Sequence, residues 1–257
     1  MKKDEIINFD DLIPDELKIH PKNIHKHMPQ HPALCVLSAG SGRGKTNLLL
    51  NILIKGMIFD KVYIFIRDES EDSYKYLKSL YKKMIKEMDK TLNRKHKLED
   101  YFILTNDLGK IPKLEDLDKT IQNAVIFDDL ISADASVQNK IKILFEAGRK
   151  RSASLFYLTQ SYFAVPKGVR LNANFCAVWS VNRRETRLLA DTYACDMSYD
   201  EFHNILSEIT RKGRHDFLSI NDKKPRLVDK LRWNLFKPIP REIRTPAFES
   251  DSDSDSE

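Results

Sequence analysis

Short, unbroken apolar runs alternate with longer amphipathic stretches along most of the chain. Ala33-Leu34-Cys35-Val36-Leu37 is the first run, and others fall at Val62–Ile66, Tyr101–Leu104, Ala124–Phe127, Ser154–Leu158 and Phe175–Val181. Continuous apolar runs of this length are what strands buried on both faces require. Between most of them lie helical patterns: Asn47–Gly56, ending at a glycine, then Tyr74–Arg94, Val137–Arg149 and Arg184–Ala194. Tyr199–Ile209 predicts a further helix, and His215–Ile220 with Arg226–Val228 predicts a late hairpin near the sheet edge. Strands alternating with helices imply crossover connections, hence an α/β fold with a mostly parallel central sheet flanked by helices.

The ends of the chain differ from this middle. Residues 1–32 are mostly polar, with Pro14, Pro21, Pro29 and Pro32, and are expected to form an arm or irregular lead-in to a domain over residues 33–235. His20, His25, His27 and His31 cluster there at irregular spacing, which fits solvated or metal-ligating side chains alike. Residues 236–257 form a tail whose end, Ser250–Glu257, alternates serine with acids; it cannot bury a core and is expected to be disordered. Met1–Asp10 has no long apolar block behind it and does not read as a secretory signal. No apolar run approaches the roughly 18 residues of a membrane span. Cys35, Cys176 and Cys195 show no CxxC spacing, which predicts reduced thiols in a reducing compartment.

Charge adds one thing. The net charge is +5, but the last ten residues carry five acids and no bases, so the remainder carries +10. Nine of the residues between Lys75 and Lys97 are Lys or Arg, against Glu87 and Asp89. A basic body suits a polyanion such as DNA, and equally a set of well-solvated lysine-rich helices.

The chemistry is more specific. Ala39-Gly40-Ser41-Gly42-Arg43-Gly44-Lys45-Thr46, followed by Asn47, fits the phosphate-binding P-loop, with Ala39 where the first glycine usually stands. Small residues let the backbone curl so that its N–H groups wrap phosphate oxygens; Lys45 brings a charge to the β- and γ-phosphates, and the Thr46 hydroxyl is placed to ligate Mg²⁺. An apolar strand precedes the loop and a helix follows, as the motif demands. Downstream, Ala124-Val125-Ile126-Phe127-Asp128-Asp129 is a buried strand delivering two acids to its end. Asp128 is expected to hold Mg²⁺, and Asp129 to polarise the attacking water. The strand Ser154–Leu158 runs into Thr159-Gln160-Ser161, where Gln160 is the candidate sensor of the γ-phosphate or the water. Just before that strand stands Gly148-Arg149-Lys150-Arg151. Such a triplet either complements a helix dipole or supplies an arginine to a neighbour's site, with Arg149 ahead of Arg151.

Taken together, these residues resemble the viral genome-packaging ATPases of the FtsK–HerA superfamily, the poxvirus-type group found also in giant viruses, virophages and polinton-like elements. The resemblance rests on Ser38–Asn47, Ile126-Phe127-Asp128-Asp129-Leu130, Ala147–Arg151 and Tyr157-Leu158-Thr159-Gln160-Ser161-Tyr162-Phe163, and covers roughly residues 33–195. It departs where the superfamily more often has Asp-Glu and this chain has Asp128-Asp129. The resemblance implies a RecA-like core, a homo-oligomeric ring, Mg²⁺-dependent hydrolysis of ATP, and translocation of double-stranded DNA into a capsid. It implies capsid proteins as partners and an intracellular setting: host cytoplasm, virus factory or virion. Two other functions fit the same motifs, a cellular-type DNA pump or translocase and a slow nucleotide-binding scaffold docking through the acidic tail. A small-molecule kinase fits the Gln-ended strand and the basic triplet poorly.

Overall fold

The computed structural model describes residues 26–56, 59–194 and 196–244. Most of the polar arm, Cys195 and the acidic tail from residue 245 lie outside them. The described strands are β1 (Leu34–Ser38), β2 (Lys61–Ile66), β3 (Phe102–Thr105), β4 (Asn123–Asp128), β5 (Ala153–Thr159), β6 (Phe175–Val178), β7 (Leu218–Asn221) and β8 (Leu231–Trp233). They form one sheet in the order β3-β2-β4-β5-β1-β6-β7-β8. Strands β1 to β6 pair parallel with one another, and β7 and β8 continue the sheet antiparallel beyond β6.

Every residue of β1, β4 and β5 is buried, as their apolar runs predict for strands covered on both faces. Successive side chains of β1 feed two core layers. Leu34 and Val36 point to one layer, Cys35 and Leu37 to the other. The second layer is covered by α1 (Lys45–Asn51), which runs on as a π-helical segment Ile52–Gly56, and by α2 (Asp72–Leu92). The first is covered by α3 (Ala135–Ala147), α4 (Lys167–Asn172), α5 (Arg183–Tyr193), α6 (Tyr199–Lys212) and α7 (Leu227–Lys230). The fold is thus α/β, a mostly parallel sheet between two helical layers.

Three local expectations change. The hairpin partner of β7 is Leu231–Trp233, whereas Arg226–Val228 enters the turn of α7: the Arg226 guanidinium holds Asp229 at 2.8 Å, which favours a helical turn there. The short helix α4 was not read from the sequence. The described part of the lead-in is no free arm: Met28 and His31 are 3% and 6% exposed, and His31 bonds Ser154 Oγ at 2.8 Å and Ser152 Oγ at 3.0 Å. Beyond residue 235, Ile239 and Ile243 are buried as well.

Candidate nucleotide site

Strand register builds the site. Across β1 and β5, Ser38 pairs with Thr159, and across β5 and β4, Leu158 pairs with Asp128. The carboxyl ends of three adjacent strands are therefore level. The P-loop leaves β1, Gln160 leaves β5 and Asp129 leaves β4, all on one rim. β5 stands between β1 and β4, which brings Gln160 between the loop and the two acids. The rim surrounds a cleft of about 460 Å³ lined by Ser41–Asn47, Asp128, Asp129 and Gln160, joined by Glu71, Ser73 and His215.

The loop's curl depends on two glycines. Gly42 (φ 68°) and Gly44 (φ 103°) lie in the left-handed region that side chains disfavour, and a Cβ on Gly42 would stand 2.8 Å from the Arg214 guanidinium. Ala39 is buried, and its N–H donates to Thr159 O at 3.1 Å, extending the β1–β5 ladder. A methyl is accommodated there, which explains why the first glycine of the motif is dispensable. Gly40 and Arg43 complete the loop, and His215 Nδ1 lies 3.2 Å from Arg43 O.

Lys45 Nζ donates to Ala39 O at 2.6 Å. Burial pulls its pKa down, opposed by the charges of Asp128, Asp129 and Glu71. Asp128 is 6% exposed, and burial pushes its carboxyl up to about 6. Among the described residues the Tyr74 hydroxyl donates to its Oδ2 at 2.7 Å. Tyr74, fully buried in the first turn of α2, thereby anchors that helix to the carboxylate expected to hold Mg²⁺.

Asp129 follows in a left-handed conformation (φ 53°), its N–H donating to Leu158 O, and it accepts from Gln160 Nε2 at 3.4 Å. The Gln160 turn is anchored from α5: Ser161 Oγ donates to Glu185 at 2.6 Å, and Glu185 also caps its own helix with Asn182.

A divalent cation fits this set in one way. No group of three or more His, Cys, Asp and Glu among the described residues forms a metal cluster. A hydroxyl and a single buried carboxylate suit Mg²⁺, which keeps waters and shares oxygens with substrate phosphates.

Glu71, Tyr74 and His215 were not read from the sequence. Glu71 sits in the run Asp68-Glu69-Ser70-Glu71-Asp72, which looks like a solvated acidic turn. In the fold it caps α2 without a side-chain capping bond and faces the cleft. An acid just after the strand beside β4 was the available signal.

Arg149 is not in the cleft. It lies exposed in a 3₁₀ turn, Gly148–Arg151, that precedes β5, whereas Gln160 follows β5. The two are separated by the strand's length, about 20 Å for seven residues. The basic run on α2 and beyond it faces outward: Lys82, Lys83, Lys86, Arg94, Lys95 and Lys97 are exposed.

Among solved structures, the chain is similar to the genome-packaging NTPase B204 of Sulfolobus turreted icosahedral virus 2 in complex with ATP-γ-S. That likeness has 11% identity over 79% of this chain and 96% of that one, with a TM-score of 0.46. The DNA-packaging ATPase B204 from Sulfolobus turreted icosahedral virus is similar at 14% identity, 79% and 96% coverage and a TM-score of 0.48. The cytoplasmic domain of EssC is similar at 12%, 65% and 35%, and 0.44. No curated protein shows significant similarity to the chain. In sequence, the Poxvirus A32 protein family matches residues 23–215, three-quarters of the length and every motif described above. The chain belongs to the Poxvirus A32 protein family.

Proposed function

We propose that this protein is the ATP-hydrolysing motor that packages double-stranded viral DNA into a capsid, working as a homo-oligomeric ring. The observation that carries the reading is the separation of Arg149 from an otherwise assembled site. The P-loop, Asp128, Asp129 and Gln160 share the cleft at one end of the sheet, and the exposed arginine sits at the other end. A head-to-tail ring brings two different patches of neighbouring subunits together, and in this reading they are the carboxyl end of one sheet and the amino end of the next. Arg149 then completes a neighbour's site, and hydrolysis depends on assembly.

Within one site, Lys45 and the loop N–H groups bind the β- and γ-phosphates. Thr46 and Asp128 would hold Mg²⁺, which when bound with the triphosphate offsets charge on its oxygens. Asp129 accepts a proton from the attacking water, and Gln160, bonded to Asp129, orients that water. The water oxygen bonds to the γ-phosphorus as the bond to the β–γ bridging oxygen breaks. Arg149 from the neighbour neutralises charge developing on the transferred phosphoryl group. Exposed lysines of α2 contact DNA phosphates, which fixes position without reading sequence.

The test is ATP hydrolysis by purified protein titrated with double-stranded DNA, beside a mass measurement of the assembly. DNA should stimulate turnover, in a salt-dependent way, and Lys45→Ala should reduce it by about 10²–10³-fold. An unchanged rate in that variant removes the site assignment; no stimulation and no ring favours the scaffold.

A further inference from the structure

Beside the phosphate cleft lies a second cleft of about 190 Å³, and the two share Arg43, Gly44, Asn47 and His215 as lining. Its character is different. The floor is Trp179 and Phe217, ring centroids 4.5 Å apart, with Leu48 and Leu235 at the sides and Phe236 at the rim. The phosphate cleft is polar and this one is aromatic, and they meet at the first turn of α1.

The fold holds these rings deliberately placed. The Trp179 indole N–H donates to His215 O at 3.1 Å, fixing the loop that touches Arg43. After β8 the chain turns back through two consecutive left-handed residues, Asn234 (φ 49°) and Leu235 (φ 69°), so that Trp233 and Lys237 exchange backbone bonds. Asn234 locks that turn. Its Oδ1 accepts from Phe217 N at 2.9 Å, and its Nδ2 donates to Asp216 at 2.6 Å. The result is a phenyl ring, Phe236, 44% exposed and lining the same cleft as Trp179 and Phe217. Leu235, a branched residue at positive φ, carries a backbone cost, and the turn it makes sets Phe236 beside the cleft.

We infer that this cleft is the base-binding subsite of the nucleotide, with Phe236 stacking on the base and the buried Phe217 and Trp179 backing the cleft. This rests on the nucleotide reading of the P-loop and extends it. Continuity chooses the occupant: a triphosphate on Lys45 and Thr46 has its ribose and base beyond the loop, and Gly44 and Asn47 line both clefts. A flat aromatic ring system is what such walls accept, and stacking is tolerant of which base it is.

The experiment measures binding of ATP-γ-S and of inorganic tripolyphosphate, each with Mg²⁺, to the full chain and to Phe236→Ala and Phe236→Trp. Phe236→Ala should weaken ATP-γ-S by about 10-fold while leaving tripolyphosphate unchanged, since one base–aromatic stack is lost and the phosphate contacts stay. Phe236→Trp should restore ATP-γ-S binding. Tripolyphosphate binding in the variant also reports that it folds. Equal ATP-γ-S affinity in wild type and Phe236→Ala overturns the base subsite while the P-loop site stands. A wild-type chain that binds neither ligand overturns both.

Discussion

The two ends of the central strands bury the same kind of group and use it in opposite ways. At the amino ends stands His31; at the carboxyl ends, Asp128. Each is 6% exposed, and burial is the largest cause of each pKa shift, toward the neutral form: His31 down to about 4, Asp128 up to about 6. The difference lies in their bonds. His31 uses both ring nitrogens on Ser154 and Ser152, and Ser154 in turn accepts from Ala33 N. Asp128 has the Tyr74 hydroxyl on one oxygen and an open cleft beside it. A buried polar group whose valences are all spent within the protein is scaffold. One kept partly open at the edge of a cavity is available for chemistry.

Arg149 tests the comparison most severely, because the proposed function assigns a catalytic role to a residue at the scaffold end. Arg149→Ala should lower turnover by about 10³-fold and leave nucleotide binding intact. Mixing it with Lys45→Ala subunits should restore part of the activity, since each variant supplies what the other lacks. Full loss without recovery on mixing would return the amino end to a purely structural role.

Stability against pH sharpens the contrast next. The folded Asp128 carboxyl takes up its proton near pH 6 and the unfolded one near 3.8, so acidification through that window adds stability. For His31 the sign reverses: the unfolded imidazole protonates near 6.5 and the folded one near 4, so acidification removes stability. The two oppose each other between about pH 4 and 6. Asp128→Asn should therefore raise stability by roughly 2 kcal/mol at pH 7.5, and its advantage should vanish by about pH 4. In that variant the His31 decline should be unmasked as a steeper loss on acidification. Chemical denaturation across this range measures both, and a flat difference between the two curves would contradict the account.

The smallest effect is expected at Tyr74. Its hydroxyl bond lowers the Asp128 pKa against burial. Tyr74→Phe should move the acid limb of the rate–pH profile alkaline by up to about one unit, a few-fold in rate at neutral pH. A uniform loss of rate at all pH values would mark Tyr74 as packing only.

These residues also show what the sequence could and could not disclose. The parallel strands were legible because burial on both faces leaves no room for polar alternation, as in Ala124–Phe127. The loop was legible because its glycines answer a local backbone need. Strand order was not, since pairing β5 between β1 and β4 joins segments more than a hundred residues apart in one case. Glu71 was hidden inside an acidic run whose neighbours face water, and Tyr74 looked like one apolar position on a basic helix. Both acquire meaning only when α2 folds over the end of β4. Leu231-Arg232-Trp233 was missed because an antiparallel edge strand of three residues has no pattern long enough to register.

The left-handed turn at Asp129 carries a consequence for how this position can vary. Aspartate and asparagine enter that backbone region several-fold more readily than other residues with a side chain, because their short polar groups find local partners there. The length of the acid and the dihedral angle beneath it are thus one choice. Homologues with a longer acid at this position should show a relaxed backbone at the same point, with the carboxylate reaching as far by a different route.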